Sequence, residues 1–155
     1  MPKHRLQRPS RHTPDRLFEL AGDVRRYPEF LPWVRSMRVW NERTFAPAVD
    51  DLDAEAVIGF AFFTGSFATR VRRDAANRVI STSLISGPFK RLENRWTFAP
   101  AAEGEGSLIT FEIDFEFRSR LMQMLLDANF EKVVGKLVTA FEARADALYG
   151  SPPAA

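Results

Sequence analysis

From Val34 to Phe117 apolar and polar residues alternate with a period of two, and after Ser119 the pattern becomes one helical stripe running to Gly150. This order constrains the fold more than any other feature. Candidate strands are 34–43, 54–63, 67–73, 78–85, 89–98 and 107–117, divided by turn-rich pieces such as Asp74-Ala75-Ala76-Asn77 and Ala101 to Gly106. Strand–helix–strand alternation is missing, which excludes a parallel α/β sheet. In the last strand Ile109, Phe111, Ile113, Phe115 and Phe117 face one way, and Thr110, Glu112, Asp114 and Glu116 face the other. Such a pattern suits an antiparallel sheet with one packed side. A hairpin register sets Arg91 and Arg95 opposite Glu116 and Glu112, as exposed pairs that fix register more than they stabilise.

In the closing helix Leu126, Phe130, Val133, Val134, Leu137, Val138, Phe141, Ala145 and Leu148 share one stripe, and Gly150 supplies a stop. Roughly 28 residues at about 1.5 Å each reach about 40 Å, enough to cross a whole sheet. Its first turns depart from the stripe. Leu121, Met124 and Leu125 either wrap separately or expose grease beside the aromatic connection described next. Upstream, residues 3–9 suit a polar edge strand. Thr13-Pro14-Asp15 opens a helix of about three turns that carries Leu17, Leu20, Ala21 and Val24 and ends near Arg26.

Between helix and sheet lies Tyr27-Pro28-Glu29-Phe30-Leu31-Pro32-Trp33. Pro28 and Pro32 bar a long helix or a central strand, so the segment is an apolar connection. It either plugs the mouth of a core or meets something greasy: a ligand, a membrane or a partner. A twisted antiparallel sheet curls, and one helix on its concave face leaves volume that large side chains or a guest must fill. Phe, with 14 copies against two Tyr, points to a wide, dry interior.

The 155 residues suit a single domain over 1–150, followed by a disordered tail at 151–155. With no cysteine there is no disulfide, thiolate metal site or cysteine nucleophile. The charged start lacks a signal peptide's apolar core, and the greasiest run, 56–68, is too short to span a bilayer. A soluble cytoplasmic protein is expected, or one peripheral at the inner face of the membrane. The net charge of +2 argues only weakly for nucleic acid. His4 and His12 lie near the N-terminus, away from the expected cavity, and no spacing arranges a catalytic relay or a zinc site. Glu112, Asp114 and Glu116 form a solvated ladder, and Gly104 and Gly106 sit in a turn rather than a phosphate loop. The expectation is a binding protein, not an enzyme, with no cofactor and no metal.

Four motifs narrow this further: Tyr27 to Trp33, Gly87-Pro88-Phe89-Lys90-Arg91-Leu92, Phe115-Glu116-Phe117, and Ala140-Phe141-Glu142-Ala143-Arg144-Ala145. In that order they resemble the coenzyme Q-binding, ubiquinone chaperone branch of the START-like polyketide cyclase and lipid transport superfamily. Val34 stands where many relatives carry a cysteine, which removes any thiol role. The resemblance implies an α+β helix-grip fold, a curved antiparallel sheet of about seven strands wrapped around a long C-terminal helix. It also implies binding of ubiquinone or a related polyprenyl lipid, as a carrier supporting respiratory electron transport.

The residues expected to line that site are Phe30, Leu31, Trp33, Phe67, Phe89, Asn94, Trp96, Phe111, Phe115, Phe130, Val134, Leu137 and Phe141, with Thr69, Val71, Leu92, Phe98, Ile109 and Ile113 also facing inward. Asn94, placed by alternation among Leu92, Trp96 and Phe98, bonds backbone or water, or awaits a ligand oxygen. Arg35 is a second polar candidate near the mouth. Tyr27, Pro28, Phe30, Pro32, Leu121, Met124 and Leu125 are expected to form a gate that touches the bilayer. Bacterial relatives imply an alternative, a toxin-like factor on the large ribosomal subunit, with Arg70, Arg72, Arg73 and Arg78 as exposed phosphate contacts. A polyketide cyclase or aromatase is the third option. The sequence leaves the oligomeric state open.

Overall fold

Seven strands form one antiparallel sheet in the order β1-β7-β6-β5-β4-β3-β2. They are β1 (Lys3–Ser10), β2 (Val34–Ala46), β3 (Val49–Phe60), β4 (Phe63–Asp74), β5 (Val79–Ser86), β6 (Phe89–Pro100) and β7 (Ser107–Phe117). The computed structural model describes residues 3–60, 63–102, 104 and 106–150. The expected tail, 151–155, lies outside them, as do residues 61 and 62 of the strand expected at 54–63. Arg91 pairs with Glu116 and Arg95 with Glu112, the register read from the alternation.

The first helix ends sooner than its periodicity suggests. Helix α1 (Pro14–Gly22) starts with the Thr13 hydroxyl accepting from the Arg16 N–H at 3.3 Å, and stops at Gly22, not Arg26. A 3-10 turn (Val24–Arg26) and a one-turn helix α2 (Tyr27–Phe30) follow, so the aromatic connection is itself partly helical. Pro28 tolerates this because it sits in the first turn, where its missing N–H has no partner to lose. The stop at Gly22 comes from its surroundings. Arg73 donates to the Gly22 carbonyl at 2.9 Å and to Asp50 at 2.6 Å, and a Cβ on Gly22 would lie 3.1 Å from the Arg73 side chain.

Helix α3 (Arg120–Tyr149) is capped by the Ser119 hydroxyl and ended by Gly150 at φ 78°. Val134, Val138, Phe141 and Ala145 are buried along it, whereas Leu148, expected on that stripe, is exposed. The interior has two parts. The main core joins α1 and the later half of α3 to Leu52, Val71, Ile80, Trp96, Phe98 and Phe111. A smaller cluster of Phe89, Leu92, Phe115 and Phe117 lies under Met122, Leu126 and Phe130.

On the outer face, charged residues cross the strands in rows. Asp53, buried, receives Asn41 Nδ2 at 2.9 Å, Arg70 Nε at 3.0 Å and Arg43 Nη2 at 3.4 Å. Asn41 reaches it from an irregular stretch of β2 where its own φ is 61°. The Arg70 hydrogen bond holds the Asp53 carboxyl below the usual carboxylate range, against the opposing push of burial, and Asn41 adds a further donor. A carboxyl depressed by folding stabilises fully above its unfolded pKa, and that contribution disappears as pH falls through the folded value. The urea midpoint should therefore drop on acidification below the ordinary value of 3.8. Asp53→Asn should start lower at neutral pH and fall less steeply. Parallel acid limbs for the two proteins would remove Asp53 from the account.

Candidate functional site

Between the sheet, α2 and α3 lies a partly open cavity of about 210 Å³. Its walls come from Leu31, Trp33 and Tyr27 on the flap, Ala54, Ala56 and Ile58 on β3, Phe67, Thr69 and Val71 on β4, Trp96 and Phe111 on the central strands, and Leu137 and Phe141 on α3. The small residues Ala54 and Ala56 leave the space, because a larger side chain at either position would project into it.

The cavity is largely but not wholly apolar. Thr69, Thr82, Asn94 and Tyr27 are its polar lining residues, and no ionisable Asp, Glu, His, Lys or Arg faces it among the described residues. The Tyr27 hydroxyl donates to the Ala21 carbonyl, and burial, helped by Asp23, pushes its phenol well above the ordinary value. Asn94 differs: its Oδ1 is buried and has no hydrogen-bond partner. An unpaired buried acceptor costs about 1–3 kcal/mol, and Asn94 is the cavity-lining residue that carries one.

Of the residues expected to line the site, Leu31, Trp33, Phe67, Asn94, Trp96, Phe111, Leu137 and Phe141 meet at this cavity. Phe30 and Val134 belong to the main core without lining it, and Phe89, Phe115 and Phe130 belong to the second cluster. Phe67 takes part in both, with its ring edge-on to Phe89 at 5.5 Å. Alternation along a single strand cannot reveal that division, since both sets share one sheet face. Reading missed Met37, Ala54, Ala56, Ile58, Ile80 and Thr82. The alternation of Ala54, Ala56 and Ile58 was the available signal for β3.

The flap is pinned. The Tyr27 and Phe30 rings stand edge-on to Phe141 at 5.3 and 5.1 Å, and Glu29 meets Arg144 at 2.7 Å, with Arg144 also over the Phe30 ring. This splits the expected gate. The flap seats on the later half of α3, some 25 Å along the helix from Met124, while Leu121 and Met124 are 64% and 68% exposed at its start. Leu125 is half-buried, Pro28 is half-buried and Pro32 is exposed. Of the expected gate residues, the largely exposed large apolar ones are Leu121 and Met124 at the start of α3, away from the Tyr27–Phe30 turn that seats on Phe141.

The histidines are not idle ends. His4 stacks on Phe130 at 3.7 Å and on Phe115 at 5.6 Å beneath α3, nearer the interior than expected. His12 is buried, with Nε2 2.7 Å from Asp146 Oδ1, tying the N-terminal segment to α3. Arg35 is exposed, lying against Gly59. The four arginines proposed as phosphate contacts are each engaged by a carboxylate: Arg70 by Asp53, Arg72 by Asp51, Arg73 by Asp50 and Arg78 by Asp15. Arg73 and Arg78 are only half-exposed. A groove of about 650 Å³ on the outer sheet face is similarly balanced, with Arg5, Arg70, Arg72 and Arg95 against Asp51, Glu93, Glu112 and Asp114. Balanced charge of this kind has little pull on a polyanion.

Residues 10–142 match the family model described as polyketide cyclase/dehydrase and lipid transport. The ribosome association toxin RatA of Vibrio cholerae is 33% identical over 137 residues, 88% of this chain and 90% of that protein. The mitochondrial coenzyme Q-binding protein COQ10 homolog B of Xenopus laevis is 26% identical over 138 residues, 88% of this chain and 54% of that protein. Among solved structures, the 18 kDa protein CC1736 of Caulobacter crescentus has a TM-score of 0.82 at 49% identity, covering 97% of this chain and all of that one. A START superfamily protein of Mycobacterium smegmatis shares the fold, with a TM-score of 0.79 at 17% identity and coverage of 94% and 98%.

Proposed function

Because the chain belongs to the polyketide cyclase/dehydrase and lipid transport family, we propose that it binds ubiquinone or a related polyprenyl lipid between sheet and α3 and carries it in support of respiratory electron transport. The observation that carries this reading is the largely apolar, partly open cavity with one unpartnered amide oxygen at its wall. Ligand sites commonly measure about 300–1,000 Å³. A space of about 210 Å³ therefore suits a ring-sized head. A tail has to pass Phe67 and part the second cluster. The Asn94 amide serves either oxidation state of such a head: Oδ1 accepts from a quinol hydroxyl, and the amide turned over donates its N–H to a quinone carbonyl. With no carboxylate, imidazole, amine or guanidinium facing the cavity among the described residues, and the Tyr27 hydroxyl donating to the Ala21 carbonyl, we read carriage rather than catalysis, needing no resident cofactor or metal. The homologue named for coenzyme Q binding agrees with this.

The test is to purify the protein from its host, extract its lipids and identify them by mass spectrometry. A polyprenyl quinone is the expected product. Added short-chain ubiquinone should quench Trp33 and Trp96, which line the cavity, while Trp40, under Arg38 on the outside, keeps its emission as an internal control. A lipid extract without quinone, together with unquenched tryptophan, would sink the reading.

A second reading, ribosome association, is favoured by one observation: relatives bearing that name match nearly the full length of both chains. The paired arginines give it no phosphate-binding patch of the kind first expected. Co-sedimentation with the large ribosomal subunit, weakening steeply with salt, would establish it, and its absence would retire it.

A further inference from the structure

Antiparallel pairing gathers the starts of β2, β4 and β6 and the ends of β3, β5 and β7 at one rim, from which α3 departs. The strand ends and the first turns of α3 at this rim carry Arg35, Arg38, Lys90, Arg91, Arg118 and Arg120, with Glu55, Glu116 and Asp127 as the neighbouring acids. Three of these cations reach carboxylates further along the strands: Arg38 to Glu55, Lys90 to Glu116, and Arg91 to Asp114. Arg35, Arg118 and Arg120 are exposed and have no carboxylate partner among the described residues. Beside Arg118 and Arg120 stand Leu121 and Met124, one helical turn apart and both largely exposed. The β5–β6 turn adjoins this patch, since the Arg118 N–H donates to the Pro88 carbonyl at 2.9 Å, and Ile85 just before that turn is exposed as well.

Resting on the carrier reading, we propose that this rim docks the protein on an anionic lipid surface, with Leu121 and Met124 entering the headgroup boundary and Arg118 and Arg120 meeting lipid phosphates. Two exposed apolar side chains beside two unpaired arginines, with the nearby Asp127 accepting from Gln123 at 3.1 Å, are complementary to such a surface. A polyanion such as RNA matches the cations but leaves the two apolar side chains in water. The rim also lies over the second cluster, so docking there places the bilayer against Met122, Leu126 and Phe67, the residues standing between it and the cavity. It is the start of α3, not the pinned Tyr27–Phe30 flap, that faces the membrane.

Flotation of the full chain with phosphatidylcholine vesicles, with and without phosphatidylglycerol, tests this. The protein should float with the anionic vesicles and not with the neutral ones, and added salt should release it. At about fivefold per cation, Arg118→Gln with Arg120→Gln should weaken partition about thirty-fold. Leu121→Ser with Met124→Ser should also release it. All four side chains are exposed, so thermal midpoints should stay unchanged, and quenching by short-chain ubiquinone should persist in both variants. Equal flotation on neutral vesicles, or indifference to both double variants, overturns the docking surface. So does binding to ribosomal RNA that these variants abolish when no vesicle binding exists. Flotation without any quinone binding would leave the docking intact and remove the carrier reading instead.

Discussion

Asn94→Leu should make the protein more stable and a poorer quinone binder at the same time. The two side chains have nearly the same shape, so the cavity walls keep their places. What changes is the buried Oδ1, which has no partner. Removing an unsatisfied acceptor recovers about 1–2 kcal/mol of the 1–3 kcal/mol that such an atom costs, read as a higher urea midpoint. Affinity for a short-chain ubiquinone should fall about tenfold, the worth of one hydrogen bond to the head. The opposed signs matter, because a purely structural asparagine cannot give them. If the variant is less stable and binds quinone unchanged, Asn94 has a role in the fold and none at the site.

Phe141→Ala should be the most damaging single change in the interior. The ring is 5% exposed and meets Trp96, Tyr27 and Phe30, each with centroids 5.1–5.3 Å away. Truncating a buried phenylalanine costs about 3–5 kcal/mol, a large share of the 5–15 kcal/mol that holds a domain together. The loss enlarges the existing cavity and takes away the surface on which the flap seats, leaving Glu29 and Arg144 as its main tie. Short-chain ubiquinone should therefore raise the thermal midpoint of this variant more than that of the wild type, since the guest replaces missing contacts. A loss below about 1 kcal/mol would mean that the flap does not depend on the ring.

Much of this was legible in the residues. The alternation of Ile109 to Phe117 set both the buried face and the register, and the pairing of Arg91 with Glu116 followed from counting along two strands. Thr13, Ser119 and Gly150 marked helix ends because capping is local chemistry. The misses share a cause, which is that they depend on contacts distant in sequence. Gly22 ends α1 because Arg73, fifty-one residues away, takes its carbonyl. The arginines of β4 read as free because the aspartates of β3 that engage them belong to a neighbouring strand. The gate looked like one patch because nothing in the sequence says that α2 would seat on Phe141 rather than near Met124.

The pairing of β1 with β7 has a consequence for how the chain is made. Lys3 lies opposite Asp114 and Ser10 opposite Ser107, so β1, made well before β7, must wait for it. Until then β1 is an unpaired edge and its His4 has no α3 to stack under. Closure over such a span is slow, and a nascent chain stalled before β7 should be degraded readily by protease while a completed one resists.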